Sequence, residues 1–317
     1  MTLKRDHGGG LDAAINHYGG TRRDWLDLST GINPNPYPIP DIPLHYWHVL
    51  PDEGPKAHLL EAARKFWNVP NGAKIVAASG VSAIIAQLPS LADEARVSII
   101  NPTYNEFAAS FVGQDWSLQQ RAPVQIRVHP NNPDGRLFSR AEIDNQHDQL
   151  TIIDESFCDI CPENSFIDLA DKAGHIILKG TGKFWGLAGL RLGFAITTPD
   201  LAEKLVQRLG PWNISGPAQF IGQKALSDQT WVDSTRTELA VMAEQLRDVL
   251  CRNGLTVLGG TDLFQLAETT SATALHDHLC RNHILTRVFP YSEKWIRLGL
   301  PANITELSRV NDALGRY

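Results

Sequence analysis

Gly180-Thr181-Gly182-Lys183-Phe184-Trp185-Gly186-Leu187-Ala188-Gly189-Leu190-Arg191-Leu192-Gly193-Phe194 sets one lysine in a glycine-rich loop, an arginine eight positions on, and a short apolar strand after it. Gly182 on one side and the pair Phe184-Trp185 on the other crowd the ammonium. Partial desolvation lowers the pKa of a lysine and favours the neutral amine, which condenses with an aldehyde to a Schiff base. A plain loop lysine between two strands gives the same local pattern, so other segments decide between the readings.

The chain has 317 residues, enough for two domains with sizeable cores. A hydrophobic content of 43% with 20% charged residues is that of an ordinary globular protein. A formal charge of -6 and a pI near 6.0 argue against nucleic acid or an anionic membrane as the main partner. No apolar run reaches the roughly 20 residues a membrane helix needs. The start, Met1-Thr2-Leu3-Lys4-Arg5-Asp6-His7, lacks a signal-peptide core, and a cytoplasmic location is expected. Cys158 and Cys161 form a C-x-x-C. The other cysteines, Cys251 and Cys280, stand at no ligand spacing from it, so reduced thiols at the end of a buried strand are expected, with no metal site.

The first fifty residues are rich in Gly and Pro and read as an extended arm with one short strand. Leu59, Leu60, Ala63, Phe66 and Trp67 then repeat at helical spacing over 55–68, and Val69-Pro70 ends that helix. From there strands alternate with helices. Strands are expected at 75–78, 97–100, 117–120, 125–128, 150–153, 175–178 and 192–196, with helices from Ser79-Gly80 to about Leu91, from Asn105 and from Ser139. This pattern predicts an α/β fold with a mostly parallel central sheet flanked by helices, and ligands at the carboxyl ends of its strands. After Pro199 the expectation is a long helix over 230–253, strands at 255–258, 263–266 and 296–298, a helix over 271–282, and a final helix opened by the capping pair Asn303 and Glu306. That is a smaller α+β domain. The predicted organisation is an arm over 1–45, a large domain over 46–205 and a small one over 206–317.

Four motifs fall at strand ends of the one sheet. Ser79-Gly80-Val81 turns from strand to helix, where backbone N–H groups suit a phosphate. Tyr104, after Asn101-Pro102-Thr103, is placed to stack on an aromatic ring. Asn132, in Asn131-Asn132-Pro133-Asp134-Gly135, can donate an amide to a phenolate oxygen. Asp154 ends an apolar strand, and a carboxylate buried there needs a cationic partner such as a protonated pyridine nitrogen. Each has a plainer reading: a helix opening, a core tyrosine, turn chemistry, a helix cap.

Together, in this order and followed by Lys183 and Arg191, they resemble the fold type I pyridoxal-phosphate enzymes, the aspartate aminotransferase superfamily. The resemblance covers nearly the whole chain. It implies that Ser79, Gly80, Val81 and Arg191 bind the phosphate of pyridoxal 5'-phosphate, that Tyr104 stacks on its ring, and that Asn132 contacts its phenolate. Asp154 would pair with its pyridine nitrogen and Lys183 would carry its aldehyde. Trp25 to Pro34 with His7-Gly8-Gly9 before it, Leu50-Pro51-Asp52, the Gly182 to Phe194 run, Ile284 to Arg287 and Trp295 to Pro301 narrow the resemblance to the threonine-phosphate decarboxylases of cobalamin biosynthesis. That family converts O-phospho-L-threonine to aminopropanol phosphate and CO2.

Four positions depart from the family pattern. Gly180 stands where a serine is usual and Lys179 where an arginine is common, with Thr181 or Lys179 as candidates to replace the lost phosphate ligand. Phe157 stands for a tyrosine, and Leu50 for the tyrosine that reaches a neighbouring subunit. The resemblance further implies a homodimer and a small phosphorylated amino acid as substrate, held by Arg287 and Arg297, with Asn132, His7 and Asn33 beside it. Two other readings stay open: an aminotransferase of the histidinol-phosphate type, and an inactive relative that serves as a binding protein.

Overall fold

The computed structural model describes residues 7–143 and 149–317. Its strands, in chain order, are β1 (Leu26–Asp27), β2 (Lys74–Ala78), β3 (Arg96–Ile99), β4 (Ser117–Leu118), β5 (Val124–Val128), β6 (Leu150–Asp154) and β7 (His175–Gly180). Then follow β8 (Gly193–Thr197), β9 (Thr256–Thr261), β10 (Phe264–Glu268), β11 (Ile284–Leu285), β12 (Arg287–Phe289) and β13 (Ser292–Gly299). Two compact units emerge. The smaller holds residues up to 35, 133–136 and 233–317; the larger holds 36–132 and 137–232. These divisions, at 35/36 and 232/233, differ from the 45/46 and 205/206 expected from the sequence.

The larger unit is built on a seven-stranded sheet in the order β2-β8-β7-β6-β5-β3-β4. Every residue of β6 and β7 is buried, as continuous apolar runs covered on both faces require. Phe107, Phe111, Ile84, Leu88 and Leu205 close one face over Ile126, Ile152 and Ile176. Each such side chain stabilises the fold by roughly 1.5–3 kcal/mol. Neighbours from β4 to β7 are parallel, while β8 runs against both β7 and β2. Two reversals leave β2 pointing the same way as β7. The carboxyl ends of β2, β3, β5, β6 and β7 therefore open on one edge, where β8 begins. The register aligns them: Ala78 and Gly180 flank Gly193, and Val128 pairs with Asp154, which pairs with Leu178.

Several elements differ from expectation. The helix after Gly80 runs only over Val81–Ile85, and a 3-10 turn at Leu88–Leu91 replaces the rest, because Pro89 cannot continue it. The helix expected from Ser139 is Arg140–Ile143; any continuation lies outside the described residues. Two helices absent from the reading, Pro199–Leu209 and Gly216–Leu226, each carry a proline in the first turn, where it fits a helix rather than breaking one.

In the smaller unit the arm is more structured than expected. It carries the helix Leu11–Tyr18, and β1 pairs in parallel with β11. Leu11, Ala14 and Trp25 pack with Cys280 and Leu285. The antiparallel sheet β12-β13-β10-β9 forms the body. Asn303 accepts from the Glu306 N–H at 3.0 Å, while the Glu306 carboxylate returns to the N–H of Ala302 at 2.6 Å, one residue before the cap.

Candidate active site

A cavity opens at the strand edge of the larger unit. Gly80, Val81, Tyr104, Asn132, Asp154, Lys183 and Arg191 all line it. The sequence separates these residues by up to 111 positions, and one edge of one sheet brings them together. Ser82, Ser156 and Phe157 also line the cavity, none of them among the expected cofactor residues.

The first turn is tightly built. Gly80 has φ +85°, and a Cβ there would lie 2.7 Å from Nη2 of Arg191. Only glycine allows this guanidinium to lie against the turn. Arg191 itself is held in the left-handed region at φ 54°, an uncommon conformation for a residue with a side chain. A Cβ on Gly193 would meet the Val81 nitrogen at 2.3 Å, so β8 presses its backbone against the same turn. The departure at 180 has a steric counterpart. A Cβ on Gly180 would lie 3.0 Å from Cγ2 of Val81, whose isopropyl group occupies the space a side chain there would take.

Two of the expected phosphate ligands do not line the cavity. The Ser79 hydroxyl donates to the carbonyl of Asn213. Thr181 is buried, and its hydroxyl donates to the Leu192 carbonyl at 3.2 Å. Nor does Lys179 compensate for Gly180, because its side chain lies buried against Glu155, 2.6 Å away. Ser82 does line the cavity, with its hydroxyl bonded to the Tyr104 oxygen. Its signal was present in the sequence as a hydroxyl two positions after the turn glycine.

Tyr104 and Asn132 are placed by their neighbours. Thr103 donates to Oδ1 of Asn131 at 2.6 Å, and Nδ2 of Asn131 donates to the Pro102 carbonyl at 3.0 Å. These bonds lock the turn before Tyr104 to the turn that carries Asn132. Burial raises the Tyr104 pKa, and the Glu106 and Asp154 charges push it the same way. Its hydroxyl stays protonated.

Asp154 is 4% exposed. Burial raises its pKa, partly offset by the hydroxyl and N–H of Ser156 and by the Lys183 charge. The Lys183 ammonium sits 5.2 Å from the centre of the Phe157 ring. A sealed carboxylate with a raised pKa favours a cation brought to it, and an amine stands within reach of its field.

In the smaller unit Arg287 and Arg297 are cross-strand partners on β12 and β13. Burial and the neighbouring Arg287 charge hold the Arg297 pKa down at about 10. Arg297 lies 4.9 Å over the Phe264 ring and donates to the Ser29 carbonyl at 3.0 Å. Two guanidiniums set side by side favour an anion between them. Asn33 is buried and accepts from the Asn35 N–H at 2.9 Å, while His7 is exposed.

Residues 116–310 match the family described as aminotransferase class I and II. The chain is 37% identical to a threonine-phosphate decarboxylase from Sinorhizobium sp, over 98% of this chain and 97% of that one. It is 35% identical to another from Pseudomonas aeruginosa, with the same shares covered. The chain belongs to the aminotransferase class I and II family, in its threonine-phosphate decarboxylase group. Among solved structures it is similar to a histidinol-phosphate aminotransferase from Sinorhizobium meliloti in complex with pyridoxal-5'-phosphate, with a TM-score of 0.81 at 19% identity over 99% of this chain and 95% of that one. That likeness bears on the fold alone.

Asp154 gives this family member a pH signature. Its folded pKa lies above the ordinary value of 3.8, so the ligand-free protein loses stability as pH rises from about 4 through the folded pKa. Asp154→Asn keeps an acceptor for Ser156 and removes the buried charge. The expected result in a thermal melt of ligand-free protein at pH 7 is a Tm gain of about 2–4 °C that vanishes toward pH 4. A lower Tm at pH 7 would show that the charge is already compensated.

Proposed function

We propose that the protein decarboxylates O-phospho-L-threonine, or its phosphoserine analogue, to an amino-alcohol phosphate and CO2, as the linker-forming step of cobalamin biosynthesis in the cytoplasm. Its cofactor is pyridoxal 5'-phosphate. The observation that carries the reading is a near full-length similarity to threonine-phosphate decarboxylases joined to one cavity in which the Asp154 carboxylate and the Lys183 amine feel each other's charge.

The residues present fit that cofactor. Beside the Gly80 turn, Val81, Ser82 and Arg191 offer N–H, hydroxyl and guanidinium donors for its phosphate, and Tyr104 and Phe157 offer aromatic faces. Asn132 offers an amide, Asp154 an anion for the ring nitrogen, and Lys183 the amine that takes the aldehyde. When bound, the cofactor supplies an electron sink that weakens whichever bond to Cα stands perpendicular to its ring. Orientation therefore selects the reaction. Arg287 and Arg297 would bind the substrate phosphate, a dianion suited to bidentate guanidinium contacts. Asp154 would hold the proton on the ring nitrogen, and Lys183 would return a proton to Cα.

CO2 release from O-phospho-L-threonine by cofactor-loaded protein, with no keto acid present, is the expected outcome. Arg297→Ala should raise KM by tenfold or more, about what one hydrogen bond to a charged group contributes. Glutamate formed only when 2-oxoglutarate is added would make the protein an aminotransferase; neither product would make it a binding protein. Phosphoserine should differ modestly, since one methyl group discriminates by only about 1–3 kcal/mol.

The active form is a homodimer in this reading. Ile39, Leu44, Trp47, Val49 and Leu50 are 58–70% exposed within one short segment. The segment is anchored by Tyr37, whose N–H donates to the Trp185 carbonyl at 2.9 Å, and by Tyr46, whose ring lies 4.9 Å from Phe220. An anchored apolar face of this kind is expected to be covered by a second copy. Analytical ultracentrifugation should give a dimer for the native chain and a monomer for Trp47→Glu/Leu50→Glu. A native monomer at micromolar concentration would refute the assignment.

A further inference from the structure

On the sheet face opposite the cavity lies a buried ionic cluster with no counterpart in the reaction described above. Side chains alternate along a strand, so Asp154 and Gly180 face the cavity while Glu155 and Lys179 point away from it. The Lys179 ammonium is 2.6 Å from Glu155 and 3.7 Å from Asp159, all three being 3% exposed or less. Burial pulls the Lys179 pKa down, but the Glu155, Cys158 and Asp159 side chains outweigh it and hold the ammonium charged. The Glu155 carboxylate also accepts the Phe166 N–H at 2.6 Å and the Ser165 hydroxyl at 2.5 Å. Asp159 accepts two indole N–H groups, from Trp67 at 2.8 Å and Trp185 at 3.1 Å.

The positions of these partners along the chain are the informative part. Lys179 stands four residues before Lys183 and Trp185 two residues after it. Asp159 therefore grips both flanks of the lysine loop. Trp185 is also stacked on Trp231, with ring centres 5.3 Å apart and planes 14° off parallel, which fixes the indole that Asp159 holds. Glu155 follows Asp154 directly, and its N–H donates to the Leu178 carbonyl at 2.9 Å, extending the ladder between β6 and β7. Phe157, two residues before Asp159, is the ring under the Lys183 ammonium.

We infer that Asp159 is a positioning residue for Lys183: through Lys179 and Trp185 it fixes the loop that presents the amine to an aldehyde in the cavity. This rests on the reading of Lys183 as the residue that takes the cofactor aldehyde. Asp159→Asn keeps the shape but cannot accept from two indoles and an ammonium at once, because its amide nitrogen is a donor.

The test compares two ligands by equilibrium titration of ligand-free protein. Pyridoxal 5'-phosphate condenses with the lysine amine, with loss of water. 4'-Deoxypyridoxine 5'-phosphate has the same ring and phosphate but no aldehyde. Asp159→Asn should weaken the first about tenfold and the second by less than about twofold, since only the first depends on where the amine stands. Lys179→Arg, which keeps the charge, should leave both near native values. If Asp159→Asn does not fold, Trp185→Phe removes the donor and keeps the ring, and about a threefold selective loss is expected. Equal weakening of both ligands, or of neither, would overturn the inference and leave the cluster a purely structural one. Native protein that takes up neither ligand would overturn the cofactor reading, and this inference with it.

Discussion

A carboxylate sealed at the end of a strand is the constraint on which the rest of the site depends. Removing an ionised carboxyl from water carries an effective penalty of several kcal/mol unless a cation or strong donors replace the solvent. Asp154 receives two bonds from Ser156 and the field of Lys183, and burial still leaves its pKa raised. The fold therefore carries a charge that is not fully satisfied by the protein itself. A ligand with a protonated ring nitrogen satisfies it, and the energy released on binding is available to hold that nitrogen protonated.

The sheet explains why such a residue can be kept. β6 and β7 are buried on both faces, and the register sets Asp154 beside Leu178 and Val128 in one row. On the far face Lys179, Glu155 and Asp159 neutralise one another in part and tie the strand ends together. Breaking such a buried pair by removing one partner typically costs about 3–5 kcal/mol, which makes the arrangement rigid where the cavity needs rigidity. Val81 filling the space above Gly180 belongs to the same economy: one contact is lost and a packed one takes its place.

Much of this was legible in the sequence because the decisive residues close strands. Asp154 after an apolar run, Lys183 among glycines and Arg191 before the next strand can each be placed without coordinates. Hydroxyl directions could not. Ser79 and Thr181 carry suitable groups beside the right turn, yet their oxygens satisfy the Asn213 and Leu192 carbonyls, while Ser82, one turn on, faces the cavity. Lys179 looked like a spare cation because its carboxylate partners lie 24 and 20 positions away, across a strand pairing. The helices Pro199–Leu209 and Gly216–Leu226 went unread because a first-turn proline marks a helix start as readily as a break. Strand ends are written locally; the direction of a short side chain depends on which carbonyl the fold brings near it.

The most direct measurement is to incubate the ligand-free protein with pyridoxal 5'-phosphate, reduce with borohydride and locate the modified lysine by peptide mass mapping. The account predicts a single pyridoxyl group on Lys183 and none on Lys179, whose ammonium is held by two buried carboxylates. Label on another lysine, or none after full exposure, would contradict it.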